Sequence, residues 1–344
     1  MNIIASLDAI GDYSDHYLVK ARQAGSVYFD EFLQVAETMR QVMKIKEFKN
    51  WLRDKMLVRS QPFDEKTFIQ YAVETAVVRY FGERFPVGFQ AEVKIRPGSS
   101  KDVDCRFKNN GFIYNVEVKC ADFTAKKELD AKQGIKIGTI GRIPGHQDTI
   151  DKVKKLLEGL HFKTEALKDH HEIKNMDNNM KDFLELAQGK FNPNPPANEL
   201  NILIVACDDA EDMQHWYYYL YAEHGLFTAE PFADDSRYDN VDLVIFTNLY
   251  FRQSRFFEKR LADSWSMATA LNLVFPNPLK KKIKVEATYN FLNMLDHYSF
   301  QLQDYKMPGN VPDHVKTSRR ITSFVTEYLE KQNGVYLFDL PAGV

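Results

Sequence analysis

Asp104 precedes, and Glu117 and Lys119 follow, the segment KNNGF at positions 108–112. Within it Asn110-Gly111 is a strong signal for a two-residue type I′ turn, because both central positions of that turn need positive φ. If Asn109 faces Phe112, Asp104 lies directly opposite Glu117 and Asp102 directly opposite Lys119. Such cross-strand neighbours have Cβ atoms about 4.5 to 5.5 Å apart. Alternation then places Val103, Cys105 and Phe107 on one face with Val116, Val118 and Cys120, and gathers Asp102, Asp104, Asn115, Glu117 and Lys119 on the other. Two carboxylates held this close repel unless a cation sits between them or one is protonated. A hard divalent cation such as Mg²⁺ suits these oxygen donors and keeps positions for water and a phosphate oxygen. The chemistry to which the hairpin points is hydrolysis of a phosphate ester.

Periodicity indicates the elements that must hold the hairpin. From Tyr13 to about Arg59 apolar residues recur at three- and four-residue steps, as in VYFDEFLQVAETMRQVM, which predicts a helical region. The next helix opens after Pro62 with Asp64 as its cap, presents Ile69, Ala72, Val73, Ala76, Val77 and Tyr80, and ends at Gly82 and Pro86. The pattern then changes to alternation, with VGFQAEVKIR, VDCRF and FIYNVEVKC as three successive strands. A polar, helix-rich stretch from about 146 to 188 leads to the linker FNPNPPAN. LNILIVAC and DLVIF read as strands buried on both faces, separated by a covering helix in EDMQHWYYYLYAEHG. The remainder carries the basic tract PLKKKIKVEA, a helix over TSRRITSFVTEYLEKQ stopped by Asn333-Gly334, and a short strand YLFDL.

A helix, a hairpin, Asp104 and then Glu117-Val118-Lys119 together resemble the PD-(D/E)xK nuclease superfamily. The resemblance implies an α/β fold: a restriction-endonuclease-like core of one helix, a three-stranded antiparallel meander, a crossover helix and further buried strands. On that reading residues 1–60 form a helical N-terminal region and 61–250 the nuclease core, with a helical insertion at about 125–195. Residues 251–344 form a mixed C-terminal region for recognition or dimerisation. The resemblance implies that Asp104 and Glu117 bind the metal, that Glu74 on the preceding helix joins them, and that Lys119 positions or activates the attacking water. It also implies Mg²⁺ as cofactor, with Mn²⁺ as a substitute, and DNA as substrate. The motif's proline is replaced by Val103, Asp102 is an alternative first acid, and His146-Gln147 and Lys132-Gln133 are candidate polar helpers.

The bare acid-x-lysine string is weak evidence, since Glu92-Val93-Lys94, Glu172-Ile173-Lys174 and Asp304-Tyr305-Lys306 match it too. The competing bland reading is a solvated outer hairpin face with an Asp102 to Lys119 ion pair. Glu117 stands apart through the Asn-Gly turn, the apolar opposite face and the aspartate in register. Asp208-Asp209 reads as a helix cap more readily than as a ligand site, and no phosphate-binding glycine motif accompanies it. His170-His171-Glu172 lacks the spacing of a zinc site. Lys152, Lys154 and Lys155, Lys280 to Lys282 and Arg319-Arg320 are candidate phosphate contacts or solvated faces.

With 44% hydrophobic and 27% charged residues the composition is that of a globular protein, without an apolar run of the roughly 18 to 20 residues that a membrane span needs. The N-terminus lacks the pattern of a secretory signal, and Cys105, Cys120 and Cys207 form no CxxC pair, so a cytoplasmic chain with reduced core thiols is expected. A net charge of -3 means that nucleic acid must meet local basic patches. No helicase, methyltransferase or ATPase motif is visible, which suits a restriction enzyme or a defence-system nuclease, acting as a homodimer or with partner subunits. The alternatives are a non-catalytic nucleic-acid-binding module of the same fold and a nuclease acting on RNA.

Overall fold

The computed structural model describes residues 3–8, 10, 15–59, 62–123, 177–231, 238–279, 283–307, 309 and 312–339, with a discontinuous set between 126 and 173. Its organising helix is the one expected after Pro62. Asp64 caps it by accepting the Thr67 N–H, and the helix, α5, runs Glu65–Arg84. Four helices precede it: α1 (Ile3–Asp8), α2 (Tyr17–Gln23), α3 (Val27–Val42) and α4 (Ile45–Asn50), the last continuing through a wider turn at Trp51–Lys55.

The expected apolar face of α5 is buried, and so are Phe68, Thr75, Val78 and Phe81, because the helix is covered on two sides. One side packs on the strands, where Phe81 and Phe85 stack on Phe107 at 4.5 and 4.9 Å between ring centroids. The other meets the N-terminal helices, where the Trp51 indole N–H donates to Thr75 Oγ1 at 3.0 Å. The N-terminal helices also meet the later chain: Tyr28 stacks on Phe256 at 3.8 Å and donates through its hydroxyl to Gln253. One continuous apolar core therefore joins the regions before and after the sheet.

That sheet has six strands in the order β1-β2-β3-β6-β7-β8. β1 (Gln90–Val93), β2 (Val103–Asn109) and β3 (Phe112–Cys120) form the expected antiparallel meander. β6 (Glu199–Ala206) and β7 (Leu243–Thr247) continue it in parallel, and β8 (Asn272–Pro276) closes the edge antiparallel. β6 and β7 are buried along their whole length, as their almost continuous apolar sequences suggest, and the burial takes in Glu199, Asn201 and Thr247 as well. Pairing of β2 with β3 follows the expected register, Asn109 facing Phe112 and Cys105 facing Val116. Asn110 and Gly111 both take positive φ, 50° and 81°, so the turn residues do what their types predict.

Three expectations are corrected. The insertion expected to be helical at about 125–195 contains a separate two-stranded parallel sheet, β4 (Ile135–Gly138) with β5 (His170–Ile173), before helix α6 (Asp177–Gln188). Each strand is only four residues long, IKIG and HHEI, too short for an alternating pattern to stand out in the sequence. The first strand occupies only four residues of VGFQAEVKIR. No strand forms over YLFDL at the described residues 336–339, where the Leu337 carbonyl accepts the side-chain N–H of Asn248 instead. Helix α7 (Ala210–Tyr221) covers β6 and β7 with Trp216 and Tyr219 fully buried. It is capped by Asp209 through the Asp212 N–H, so this acid has the plain structural role. Among the described residues no helix is long and apolar enough to cross a membrane.

Candidate active site

Where β2 and β3 approach their open ends, their backbone pairing stops. The last paired residues are Cys105 and Val116, and one position further the Asp104 carboxylate itself takes the Val118 N–H, through Oδ2 at 2.6 Å. A carboxylate here replaces a backbone carbonyl as acceptor, so Asp104 is fixed against the strand that carries Glu117 and Lys119. The hairpin turn thus sets the register that brings the acids together, as the sequence predicts.

The polar face of this hairpin is not a solvated one. Glu117 is 0% exposed, and Asn115 beside it is equally buried. Glu117 Oε1 is in ion-pair contact with Lys119 Nζ at 2.6 Å and with Lys190 Nζ at 2.6 Å, while its Oε2 has no hydrogen-bond partner among the described residues. Lys119 therefore pairs with Glu117, and the Asp102 to Lys119 pair of the bland reading does not form. Burial first and the charge of Asp104 second raise the Glu117 carboxyl, the two lysines oppose both, and the net result is a pKa of about 7. Burial alone would lower Lys119, but Glu117, Asp104 and Glu74 outweigh it and its pKa is raised. Lys119 is accordingly a fixed cation at neutral pH: it can donate a hydrogen bond but has no lone pair with which to take a proton from water.

Glu74 reaches the same neighbourhood from the flank of α5. Its carboxylate pairs with Lys55 Nζ at 2.5 Å, and the same ammonium holds Glu92 of β1 at 2.5 Å. Glu74 is raised to about 7, first by burial and then by Asp104, which places it in the electrostatic field of the hairpin acids. Glu92 lies between the paired positions Ala91 to Cys105 and Val93 to Val103, hence opposite Asp104, and it adopts a positive φ of 49°. A left-handed glutamate costs on the order of 1 kcal/mol and persists only where its surroundings fix it, here through Lys55.

Sequence reasoning placed Asp104, Glu117 and Lys119 together, and the structure does so. It ranked Glu92 among the incidental acid-x-lysine strings, and it gave no role to Lys55 or Lys190. Lys190 follows the end of α6, where its N–H donates to the Ala187 carbonyl, and nothing in its local sequence marks it. Asp102 lies ahead of β2 with its buried Oδ1 without a hydrogen-bond partner among the described residues, whereas Asp104 is the acid whose charge raises both Glu74 and Glu117. Of the remaining candidates, Lys132, Lys152, Lys155 and Arg319 are exposed, and Arg320 donates to the Leu302 carbonyl at 2.8 Å. Gln133, His146, Gln147, Lys154 and Lys280 to Lys282 lie outside the described residues.

The donors suit a hard divalent cation. A fully buried carboxylate oxygen without a hydrogen-bond partner, beside a second carboxylate, is what such an ion would satisfy. Among the described residues no three His, Cys, Asp or Glu side chains converge as a metal cage. Glu74 is held aside by Lys55, so Asp104 and Glu117 are the pair available to such an ion. One or two carboxylates, with water and substrate phosphate in the other positions, is the usual way Mg²⁺ is held. Comparison with protein-family models, curated proteins and solved structures gives no match for the chain.

Proposed function

We propose that this chain is a Mg²⁺-dependent endonuclease of the PD-(D/E)xK type that hydrolyses DNA phosphodiester bonds at Asp104, Glu117 and Lys119. The observation that carries the reading is Glu117: a fully buried carboxylate with one oxygen between two lysines and the other without a partner among the described residues, next to an aspartate fixed by the backbone. A purely structural acid in this position would be expected to use both oxygens. Its site lies toward the carboxyl ends of the parallel strands β3 and β6, the edge where open α/β sheets receive ligands.

Asp104 and Glu117 would hold the cation, which would supply charge neutralisation at the phosphate and a more acidic bound water. Lys119, a cation at neutral pH, donates to a phosphate oxygen or to the attacking water and so orients it. Glu74, Lys55 and Glu92 form a lateral brace that keeps negative charge beside Asp104 without converging on it. Action within restriction or antiviral defence, as a homodimer or with partner subunits, follows from the resemblance and the absence of other enzymatic motifs.

Purified full-length protein incubated with supercoiled plasmid and with DNA and RNA oligonucleotides tests this directly. The expected result is nicked or linear DNA with Mg²⁺ or Mn²⁺ and intact DNA with EDTA. Equal cleavage with and without EDTA would contradict the metal-dependent mechanism, and cleavage confined to RNA would correct the substrate.

A further inference from the structure

Two ammonium groups 2.6 Å from the same carboxylate oxygen are more than one carboxylate needs. Lys119 and Lys190 both touch Glu117 Oε1 and are about four-fifths buried, so each feels the other's charge in a partly dry site. Two like charges that share one carboxylate oxygen in such a site oppose each other. The arrangement holds because of the wider charge balance. Glu74, Glu92, Asp104 and Glu117 supply four negative charges, and Lys55, Lys119 and Lys190 supply three positive ones. With all ionised, the group carries -1. Adding a divalent cation makes it +1, and adding one phosphodiester makes it neutral.

We propose that Lys190 is a second phosphate-binding cation, held on Glu117 until a divalent cation takes that carboxylate and then free to contact the substrate's phosphate. The inference rests on the nuclease reading of this site. Lys119 is fixed on the strand, two residues from Glu117. Lys190 comes from beyond the end of α6, a different element, so its side chain is not tied to the strand that carries Glu117. One side chain thus balances the apo site, competes with metal, and serves substrate. The consequence is a pair of effects of opposite sign. Removing the Lys190 charge relieves repulsion of a divalent cation, so metal binds more tightly. It also removes one phosphate contact, so DNA binds more weakly.

The experiment compares full-length wild type, Lys190→Met, Lys190→Arg and Asp104→Asn. Calorimetric titration with Mn²⁺ alone is paired with fluorescence anisotropy of a labelled DNA duplex in Ca²⁺ over a range of salt. We expect Lys190→Met to bind Mn²⁺ roughly tenfold more tightly and DNA roughly tenfold more weakly, and to lower the slope of log affinity against log salt by about one. Lys190→Arg keeps the charge and should stay near wild type in all three. Lys190→Gln replaces the methionine variant if that protein does not fold. Unchanged or weaker Mn²⁺ binding in the neutral variant, with wild type binding and Asp104→Asn not binding, overturns the role of Lys190 and leaves the nuclease reading intact. No Mn²⁺ binding by wild type overturns both.

Discussion

Asp104→Ala is expected to lower DNA cleavage by about 10³-fold or more while leaving the protein folded, and Lys119→Ala to lower it by about 10²- to 10³-fold. Both magnitudes follow from the geometry. Asp104 supplies one of the two carboxylates available to the cation, and its loss leaves Glu117 alone, with its Oε1 occupied by lysines. Loss of its hydrogen bond from Val118 N–H costs roughly 1 kcal/mol of stability. That cost is offset in part, because Asp104 repels both Glu74 and Glu117. Lys119→Ala removes the donor that the proposed mechanism assigns to the phosphate, but Glu117 keeps Lys190 as its counter-ion, so no uncompensated buried charge results. Initial cleavage rates of plasmid, with thermal melts of each variant alongside, separate the two effects. Wild-type rates in either folded variant would remove the assignment.

The second large effect is on stability against pH in the absence of divalent metal. Glu74 and Glu117 are raised from 4.5 to about 7, and Asp212, buried beneath the cap of α7, from 3.8 to about 7, in each case first by burial. A carboxyl raised in the folded state binds a proton that the unfolded chain has already lost, so stability falls as pH rises through the folded value. The chain should therefore melt several degrees higher at pH 6.5 than at pH 8.5, a difference on the order of a few kcal/mol. Below that range buried His16 acts the other way. Its pKa is lowered from 6.5 to about 4 by burial, so it stays neutral when folded and costs stability as the pH falls below 6.5. One imidazole offsets only part of what three carboxyls gain, so His16 flattens the rise and these groups place the stability maximum on the acid side of neutrality, at about pH 5. Saturating Mg²⁺ should raise the melting temperature more at pH 8.5 than at pH 6.5, since it neutralises a carboxylate that is otherwise charged and buried. Melting curves between pH 5 and 9, with and without Mg²⁺, check both signs. A melting temperature that rises from pH 6.5 to 8.5 would contradict the electrostatic account.

Local chemistry carried much of the architecture into the sequence. Asn110-Gly111 fixes a turn with two positive φ values, and the turn fixes a register; that is why Asp104, Glu117 and Lys119 could be aligned from letters alone. Almost continuous apolar runs marked β6 and β7, and Asp64 marked the start of α5. The rest of the site depends on contacts between distant segments, which periodicity does not encode. Lys55 enters from a turn after α4, Lys190 from the end of α6, and Glu92 through a left-handed backbone that the strand pattern hides. The burial of Glu117 was equally invisible: alternation separates the two faces of a hairpin but does not say that both are covered. Glu74 lies where its helical position predicts, but Lys55 changes what it does there.

The account stands or falls on a cation between Asp104 and Glu117. Crystals of the wild-type protein grown or soaked with Mn²⁺ and measured at a wavelength where manganese scatters anomalously locate the ion without reference to activity. The expected result is an anomalous peak within about 2.0 to 2.4 Å of a carboxylate oxygen from each of Asp104 and Glu117, with Lys190 Nζ withdrawn from Glu117 Oε1. Manganese bound elsewhere, with Lys119 and Lys190 still closed on Glu117, would contradict it.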